Sequence, residues 1–443
     1  FIPQGMEKLP KGVSIVHYHM NPGGVTRIIE AQVASLKSLL PDIKINLICG
    51  TCHNKKEFES KGIQVILNDH FNYFSGKKFP TRYYVDWLQK IATILKKFGT
   101  EDHVIHFHNP GLGKNPVLTW AMAKLAIDGY RVFNHIHDFP EDRPENLKLL
   151  RMVIEEVFEG DLNDTLYPAR PNVQYGVLSS KDRIRLNRLG IPNTSIHVLW
   201  NPVRGIHPSS EADRHNARAE IFKALLLDEK KPLVTYPVRI IRRKNIGELV
   251  LLAAIFKEQI HFLATLPPQN PVEKPFYESW KKFCRRHHIN LYFEVGQKLT
   301  FETVMRGSDF CITTSIMEGF GMVYLEPWTW GVPVVGRNLE NITPDLRKTG
   351  MQFPLLYDRL EVPFNDDWHD FKDLPVNQQE TMIRQVLTSH GLRQEISDKN
   401  AYLDRMFNPV PKDLIRNNQE IIKREFTFDR YGERLYNAYQ NFF

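Results

Sequence analysis

Short apolar runs alternate with amphipathic stretches along the first half of the chain. VSIVHYHM (13–20), IKINLICG (43–50) and DHVIHFHN (102–109) are short apolar runs, and each predicts a buried strand. VTRIIEAQVASLKSLL (25–40) and YYVDWLQKIATILKKFG (83–99) repeat apolar residues at helical spacing, and each predicts a helix. Strands that alternate with helices of this length are typical of a parallel sheet covered on both faces.

The same alternation begins again near residue 232. PLVTYPVR (232–239), IHFLATLP (260–267), DFCITTS (309–315) and VPVVGR (332–337) predict strands, and IGELVLLAAIFKE (246–258) predicts a helix. The second half of the chain therefore repeats the architecture of the first.

A stretch rich in Pro, Ser and charged residues, NPVRGIHPSSEADRHN (201–216), separates the two series and is the best linker candidate. We therefore predict two doubly wound α/β domains, roughly 1–205 and 206–425, which face each other across a cleft. The closing segment, 426–443, is rich in Tyr and Phe and predicts a helix that must bury an aromatic stripe.

Composition agrees with a globular protein of this size. The 443 residues are 42% hydrophobic and 25% charged, and the length suggests two or three domains. No apolar run approaches the roughly 18 residues of a membrane span, and residues 1–12 lack a hydrophobic signal core. We therefore expect a cytoplasmic enzyme.

Four cysteines are too few for a disulfide framework. Cys49 and Cys52 form a C-x-x-C after a predicted strand, which is either a redox pair or two small residues at a strand end. No second pair completes a zinc site and the surroundings are not thioredoxin-like, which favours the packing interpretation.

A net charge of +7 suits an anionic ligand, an acidic membrane surface or nucleic acid. Much of this charge lies in RIIRRKN (239–245) and KKFCRRHH (281–288), of which the second has the spacing of a solvated helix face. No zinc-finger, homeodomain or aromatic RNA-binding motif accompanies these residues, so nucleic acid is not indicated. The helix 83–99 carries Lys and Trp residues that could meet a membrane surface, but packing on the sheet is the favoured interpretation.

Three predicted strands each carry a His-x-His pair. Residues two apart lie on one face of a strand, and the later member of each pair lies at the carboxyl end. In the usual doubly wound order these strands are neighbours, so their later histidines should converge at one edge of the cleft. A zinc site and a catalytic or substrate-orienting role both fit this pattern. The pairs are His17 and His19, His106 and His108, and His135 and His137.

Two strand-to-helix loops have the features of anion sites. Gly23 and Gly24 in HMNPGGVTRIIE let the backbone approach a ligand at a helix N-terminus, although a plain tight turn also fits and the G-x-G-x-x-G fingerprint is absent. In YPVRIIRRKNIGEL, Arg239 ends a strand and Lys244 lies just before a helix. Two cations beside a helix N-terminus favour a diphosphate.

Two glutamates lie in the otherwise apolar stretch TTSIMEGFGMVYLEPWTWGVPVVG. Glu318 falls in the loop at the carboxyl end of a strand, and Glu326 follows in a short helix. Carboxylates are seldom buried without a partner, and vicinal hydroxyls of a sugar or ribose are suitable partners. Pro327 is tolerated only in the first turn of a helix, so this helix should start late or kink.

Together, RIIRRK and EGFGMVYLE resemble the retaining glycosyltransferases of family 4, and the resemblance covers most of the chain. It implies two Rossmann-like domains of GT-B type, with the terminal helix packing back on the first domain. The implied reaction moves a hexosyl unit from a nucleoside-diphosphate sugar to a hydroxyl acceptor, expected to be a small sugar or polyol, without cofactor or metal. HNPGLG and HIHDFPEDRP are loosely similar to glycosyl-transferring trehalose synthases.

The resemblance also implies residue roles. Arg239 and Lys244 would neutralise the leaving diphosphate, with Gly23 and Gly24 approaching it from the first domain. Glu326 would hold the ribose. The donor sugar would contact Glu318 and the backbone amides of Gly319, Phe320, Gly321 and Met322. His137 would contact the transferred sugar, and His19 and His108 would lie on the acceptor side.

Other functions stay open from the residues themselves. A sugar-nucleotide epimerase of the same architecture would need acids on both faces of the sugar. A non-catalytic binding module would leave the three histidine pairs unexplained. A transferase acting on a lipid or polysaccharide acceptor at a membrane surface is a further alternative. The absence of an Asp-x-Asp pair agrees with a metal-independent transferase.

Overall fold

The computed structural model describes residues 10–74, 76–100, 102–228, 231–257 and 259–443. Residues 1–9, on which part of the expectation about a signal core rests, lie outside this set. The chain divides into two compact units. Unit 1 comprises the described residues up to Arg204 together with Phe426–Phe443, and unit 2 comprises Gly205–Glu425. Each unit is an α/β structure built on a parallel sheet, which confirms the predicted fold class.

Unit 1 has a seven-stranded parallel sheet in the order β5-β3-β1-β6-β7-β8-β9. Its strands are β1 (Gly12–Val16), β2 (His19–Met20), β3 (Lys44–Cys49), β4 (Thr51–Cys52), β5 (Gln64–Leu67), β6 (His103–His108), β7 (Val132–Ile136), β8 (Val173–Val177) and β9 (Ile196–Val198). The two short strands β2 and β4 pair separately. The order makes β1, β6 and β7 neighbours, as the histidine pattern required.

The helices of unit 1 cover the sheet and bury their apolar faces. They are α1 (Gly24–Leu39), α2 (Lys55–Ser60), α3 (Thr81–Phe98), α4 (Pro116–Ile127), α5 (Pro144–Arg151), α6 (Leu162–Leu166) and α7 (Ser180–Arg188). A π-helical segment, Met152–Val157, continues α5. In α1, Ile29, Val33 and Leu36 recur at helical spacing and are buried against the sheet, so the amphipathic pattern explains both the helix and its packing.

Unit 2 has a six-stranded parallel sheet in the order β12-β11-β10-β13-β14-β15. These strands are β10 (Leu233–Arg239), β11 (His261–Leu266), β12 (Leu291–Tyr292), β13 (Phe310–Thr313), β14 (Val334–Arg337) and β15 (Leu356–Tyr357). A separate antiparallel pair contains β16 (Glu361–Phe364) and β17 (Asp367–Asp370). Strands β10 and β13 are adjacent, so the loops that follow them leave the same edge of the sheet.

The helices of unit 2 follow in chain order. They are α8 (Glu211–Leu225), α9 (Ile246–Ile255), α10 (Lys274–Arg286), α11 (Val295–Lys298), α12 (Phe301–Gly307), α13 (Glu326–Thr329), α14 (Thr343–Lys348), α15 (Val376–Thr388), α16 (His390–Lys399) and α17 (Lys412–Glu425). Helix α9 is apolar except for Glu248, and every residue from Ile246 to Ala254 is buried, as expected for a helix inside a core.

The last helix, α18 (Phe428–Gln440), belongs to unit 1, where it packs beside α1. Tyr431, Leu435 and Tyr439 are buried there, which accounts for the aromatic stripe in the sequence. Close approach depends on Gly432, because a Cβ at that position would lie 3.1 Å from the backbone oxygen of Ser35.

The prediction of one strand over 13–20 is wrong. Strand β1 ends at Val16, and His19 belongs to the separate strand β2. Tertiary hydrogen bonds explain the break, because the hydroxyl of Tyr18 donates to the backbone oxygen of Asn109 at 2.6 Å. His17 and His19 therefore do not share one strand.

Helix α3 turns its apolar face to the sheet. Ile91 and Leu95 are fully buried. Lys90 and Lys96 form ion pairs with acids of unit 1. Packing on the sheet thus accounts for this helix, and among the described residues no helix has both the length and the apolar character needed to cross a membrane.

The C-x-x-C cysteines have the properties of packing residues. Cys49 is completely buried, and burial raises the pKa of its thiol to about 12. Cys52 is partly buried, and burial raises the pKa of its thiol too. A redox pair needs a reactive thiolate, so the structure favours the packing interpretation.

Candidate active site

The basic turn of unit 2 follows directly from the end of β10. Arg239 ends the strand with an exposed side chain that donates to the backbone oxygen of Pro267 at 3.4 Å. A 3₁₀ turn, Arg242–Lys244, comes next, and Asn245 then adopts a left-handed conformation (φ 52°) before α9. Asparagine tolerates this conformation better than most residues. The turn thus presents three basic residues at the carboxyl edge of the sheet.

The loop after β13 packs against this turn. The backbone N–H of Ile316 donates to the backbone oxygen of Arg243 at 3.0 Å. The hydroxyl of Thr314 donates to the backbone oxygen of Lys244 at 2.9 Å. Because β10 and β13 are adjacent parallel strands, their carboxyl ends bring two distant sequence motifs together, where ligands bind in open α/β sheets.

Lys244 and Glu318 are in direct contact at this junction. The ammonium of Lys244 donates to Oε1 of Glu318, and the hydroxyl of Ser315 donates to the same oxygen at 2.6 Å. Arg243 lies 3.7 Å from the other carboxylate oxygen. The side chains of Lys244 and Glu318 are only 11% and 7% exposed. Burial lowers the pKa of Lys244, against the opposing effect of Glu318.

This ion pair was not predicted from the sequence. The cations and the glutamates were expected to face a ligand, not each other. Arg243, Ser315 and Tyr236 were also missed. The hydroxyl of Tyr236 lies 2.8 Å from that of Ser315. A buried series of hydrogen bonds therefore runs from Tyr236 through Ser315 to the carboxylate of Glu318. Ser315 could have been suspected from its place at the carboxyl end of a strand beside Glu318.

The glycine loop Gly319–Met322 continues from Glu318. Gly321 has a φ of 79°, and a Cβ at this position would lie 2.9 Å from the ring of Tyr324, so only glycine fits without rearrangement. Phe320 is buried and Met322 partly so. The loop is therefore held tightly by packing.

Glu326 begins helix α13 after a 3₁₀ turn, Met322–Tyr324. Pro327 occupies the first turn of α13, where a missing N–H costs nothing. The helix thus starts late, as the proline predicted. Glu326 itself is partly buried.

A buried charge network fixes α9, the helix that follows the basic turn. Arg337, in β14, donates to Glu248 at 2.5 Å and to Asp370 at 2.8 Å, and the hydroxyl of Tyr357 donates to Glu248 at 2.7 Å. Burial lowers the pKa of Arg337, but Glu248 and Asp370 outweigh it, so the pKa is raised. This network was not predicted, although Glu248 inside the apolar run IGELVLL was a visible signal of a buried charge.

Unit 1 contains a stacked cluster of histidines on β6 and β7. The rings of His106 and His108 stack at 4.6 Å, and those of His135 and His137 at 4.3 Å. Hydrogen bonds join the two strands, because Nε2 of His106 lies 3.1 Å from Nδ1 of His135, and Nδ1 of His108 lies 2.8 Å from Nε2 of His137. All four rings are at most 9% exposed.

The structure differs from the prediction that His108 lies against an acceptor. His108 is 1% exposed, and its second ring nitrogen, Nε2, is 2.7 Å from Oε1 of Gln32. Both of its nitrogens are thus occupied inside unit 1, which leaves no atom for a direct contact. His19 is more open, and its ring packs against Tyr73 at 4.7 Å.

The backbone at His137 is held by Asn109. The side-chain oxygen of Asn109 accepts hydrogen bonds from the backbone N–H of His137 at 2.6 Å and from the backbone N–H of Asp138 at 3.1 Å. Asn109 has a left-handed φ of 54°, which asparagine tolerates. The sequence HFHNPG therefore places an anchoring residue next to the histidine ladder.

Burial keeps these histidines neutral at ordinary pH. It lowers the pKa of His137 to about 4 and that of His17 to about 3. It also holds the pKa values of His106, His108 and His135 well below the usual range. Each of these three could offer one nitrogen within 4.8 Å of the others, so the cluster also has the composition of a metal site.

The glycine pair of unit 1 lies at the N-terminus of α1. Gly24 is the first residue of the helix, and Gly23 precedes it with an extended backbone. Both are exposed, and a Cβ at Gly24 would meet nothing within 4 Å. Local packing therefore does not require glycine here, and the helix N-terminus is accessible.

Residues 217–353 match the family described as Glycosyl transferases group 1. This range contains the basic turn, Glu318 and Glu326, and none of the histidines of unit 1. The chain is also similar to mannosylglucosyl-3-phosphoglycerate synthase of Petrotoga mobilis, with 29% identity over 331 residues. That match covers 70% of this chain, which spans 62% of the length of the relative.

Solved structures share the fold along nearly the whole chain. Anabaena HepE, solved with UDP-glucose, has a TM-score of 0.61 at 14% identity, over 96% of this chain and 98% of HepE. A glycosyltransferase from Rickettsia africae has a TM-score of 0.61 at 15% identity, over 98% and 99% of the two chains. Sucrose-phosphate synthase from Thermosynechococcus elongatus has a TM-score of 0.58 at 14% identity, over 97% and 98%.

Proposed function

We propose that this chain, which carries a glycosyl transferases group 1 domain on a GT-B fold, moves a hexosyl unit from a nucleoside-diphosphate sugar to a hydroxyl acceptor. The observation that carries the proposal is the junction of the basic turn with the Glu318 loop at the carboxyl edge of the unit 2 sheet. Both parts lie inside the matched range. A site with concentrated positive charge beside a buried carboxylate suits a ligand that bears both phosphates and hydroxyls.

Arg239, Arg243 and Lys244 are the proposed ligands of the diphosphate. In the structure the Lys244 ammonium already contacts Glu318, so a bound diphosphate would share this cation with the carboxylate. Glu318 and the amides of Gly319–Met322 would bind hydroxyls of the transferred sugar, and Glu326 would bind those of the ribose. These roles require only hydrogen bonds and ion pairs, which is why no metal or separate cofactor enters the proposal.

The proposed reaction retains the configuration of the anomeric carbon. The bond between that carbon and the diphosphate oxygen breaks, and the diphosphate leaves with the electron pair. The acceptor oxygen bonds to the anomeric carbon on the same face, and its proton passes to the departing phosphate. Cations that stabilise the negative charge on the leaving group supply the largest catalytic effect in such a reaction.

Unit 1 is proposed to supply His137, Gly23 and Gly24. His137 would contact the transferred sugar, and the accessible N-terminus of α1 would favour the negative diphosphate. His19, whose side chain is only partly buried, is the more accessible of the two proposed acceptor-side histidines. Hydrogen bonds hold both the ring and the backbone of His137: Nε2 contacts His108, and the backbone N–H donates to Asn109.

The acceptor is proposed to be a small hydroxyl compound, with glycosides of 3-phosphoglycerate as the first to test. The name of the Petrotoga relative describes the synthesis of such a compound. An acidic acceptor also fits a chain with a net charge of +7. A polyol, a sugar and a lipid-linked sugar complete the acceptor set.

Nucleotide release from a panel of nucleoside-diphosphate sugars, with and without acceptors, tests the proposal. One donor should give turnover that depends on an acceptor, and Lys244→Met should lower kcat/KM at least a hundredfold. Lys281→Met is the matched control, because Lys281 also forms an ion pair in unit 2, but with Glu294, at 2.8 Å, and not with Glu318. Product masses without any new glycoside, or an epimerised donor, would redirect the assignment to an epimerase.

A further inference from the structure

A buried chain of hydrogen bonds joins helix α1 to His137. Gln32, in the middle of α1, contacts His108, which in turn contacts His137. Gln32 is completely buried and His108 is 1% exposed. None of the proposed donor contacts accounts for a glutamine at this position.

Both histidines in this series of hydrogen bonds, His108 and His137, carry a single ring proton. Burial lowers the pKa values of His108 and His137 so far that both rings are neutral at neutral pH. A neutral imidazole donates from one nitrogen and accepts at the other. The partner on one side of a ring therefore decides what the other side does.

The amide of Gln32 determines which atom donates and which accepts in each of these hydrogen bonds. Its Oε1 can only accept, so Nε2 of His108, 2.7 Å away, must donate. Nδ1 of His108 is then an acceptor, and Nε2 of His137, 2.8 Å away, must donate to it. The remaining nitrogen of His137, Nδ1, keeps its lone pair, and no described residue hydrogen-bonds to it.

The other half of the amide is held by a second branch. Nε2 of Gln32 donates to the hydroxyl oxygen of Tyr439 at 3.0 Å, and that hydroxyl lies 2.7 Å from Nδ1 of His106. The same amide nitrogen is 3.1 Å from Nδ1 of His106. Because the hydroxyl of Tyr439 accepts from Gln32, its own proton is directed at Nδ1 of His106, and the oxygen of Gln32 faces His108.

We propose that Gln32 is a positioning residue that acts through His108 to fix His137 as the tautomer with its proton on Nε2. Nδ1 of His137 then accepts a hydrogen bond from a hydroxyl of the substrate. This last step rests on the proposed function, whereas the tautomer itself does not.

The histidine cluster fits this relay better than a metal site. The rings of His106 and His108 are inclined by only 24°, so their lone pairs lie in nearly parallel planes instead of converging on one ion. The contacts of 2.8 and 3.1 Å between rings have the length of hydrogen bonds. A bound metal would have to break them.

Long-range ¹H–¹⁵N correlation spectra of histidine-labelled protein test the tautomer directly, because they show which ring nitrogen carries the proton. In the wild type, His137 should carry it on Nε2. In Gln32→Met the acceptor is lost, the His108 proton moves to Nδ1, and His137 should shift to the Nδ1–H tautomer. Gln174→Met is the matched control, since Gln174 is also buried and accepts from His197 at 2.9 Å; it should leave His137 unchanged.

Kinetics complete the test. Gln32→Met should lower kcat about ten- to a hundredfold with little change in donor KM, and Gln32→Glu, which keeps an acceptor toward His108, should restore most of it. An Nδ1–H tautomer in the wild type, an unchanged tautomer in Gln32→Met, or one tightly bound zinc per chain would overturn the proposal. If no glycosyl transfer is detected, the spectra still decide the tautomer, so the two failures are distinguishable.

Discussion

Mild acid should destabilise unit 1 selectively, because its buried histidines are neutral. The pKa of His137 is lowered to about 4 and that of His17 to about 3. In the unfolded chain both return to about 6.5. Between these values the unfolded state binds more protons than the native state, so stability falls as the pH falls from about 6.5 toward 4.

The size of the effect follows from the unfolded pKa. At pH 5 a histidine that stays neutral in the folded state costs about 2 kcal/mol relative to pH 7.5, because only the unfolded form gains the proton. His17 and His137 together therefore remove about 4 kcal/mol from the free energy of unfolding of unit 1. The pKa values of His106, His108 and His135 are lowered too, and they add in the same direction.

Hydrogen exchange measured by mass spectrometry at pH 7.5 and pH 5, corrected for intrinsic exchange, reports the protection of backbone amides in each unit separately. About 4 kcal/mol corresponds to a loss of roughly a thousandfold in protection for peptides from β6 and β7. Peptides from β10 and β13 are the internal control, since the described part of unit 2 has no comparable stacked histidine cluster. Equal losses of protection in both units, or no loss in unit 1, would show that the buried histidines do not set the acid sensitivity of unit 1.

Three further perturbations test the buried charges and the thiol. Lys244→Met should lower the free energy of unfolding by about 3–5 kcal/mol in urea titrations, and adding Glu318→Gln should recover most of it, because the first change leaves a buried carboxylate unpaired. Arg337→Met should cost a similar amount, whereas exposed Arg239→Met should change it by less than about 0.5 kcal/mol. Cys49, with a pKa of about 12, should resist iodoacetamide at pH 8 until the protein is unfolded, as read by peptide mass.

Sequence patterns predicted the features that depend on local periodicity and on strand ends. Alternating strands and helices gave the two parallel sheets. The rule that parallel strands end at one edge brought the basic turn 242–244 and the Glu318 loop together, although 74 residues separate Lys244 from Glu318. The position of Pro327 correctly predicted that α13 starts late. These inferences need only the chain and the geometry of a doubly wound sheet.

Other features depend on which side chains meet in the folded core, and periodicity does not report that. Gln32 looks like an ordinary helix residue until its helix packs on β6 and puts it against His108. Strand β1 ends early because Tyr18 bonds to Asn109, 91 residues away. The family resemblance implied that His108 lies near an acceptor, but its side chain is buried against Gln32.

Whether hexosyl transfer retains the configuration is decided by the anomeric configuration of the first product. Proton NMR should follow the reaction of the preferred donor with its acceptor and read the anomeric coupling constant before any mutarotation or secondary reaction. An α-linked donor should give an α-linked product, with one nucleoside diphosphate released per glycoside formed. A β-linked product would rule out retaining transfer, and nucleotide release without a new glycosidic bond would rule out glycosyl transfer.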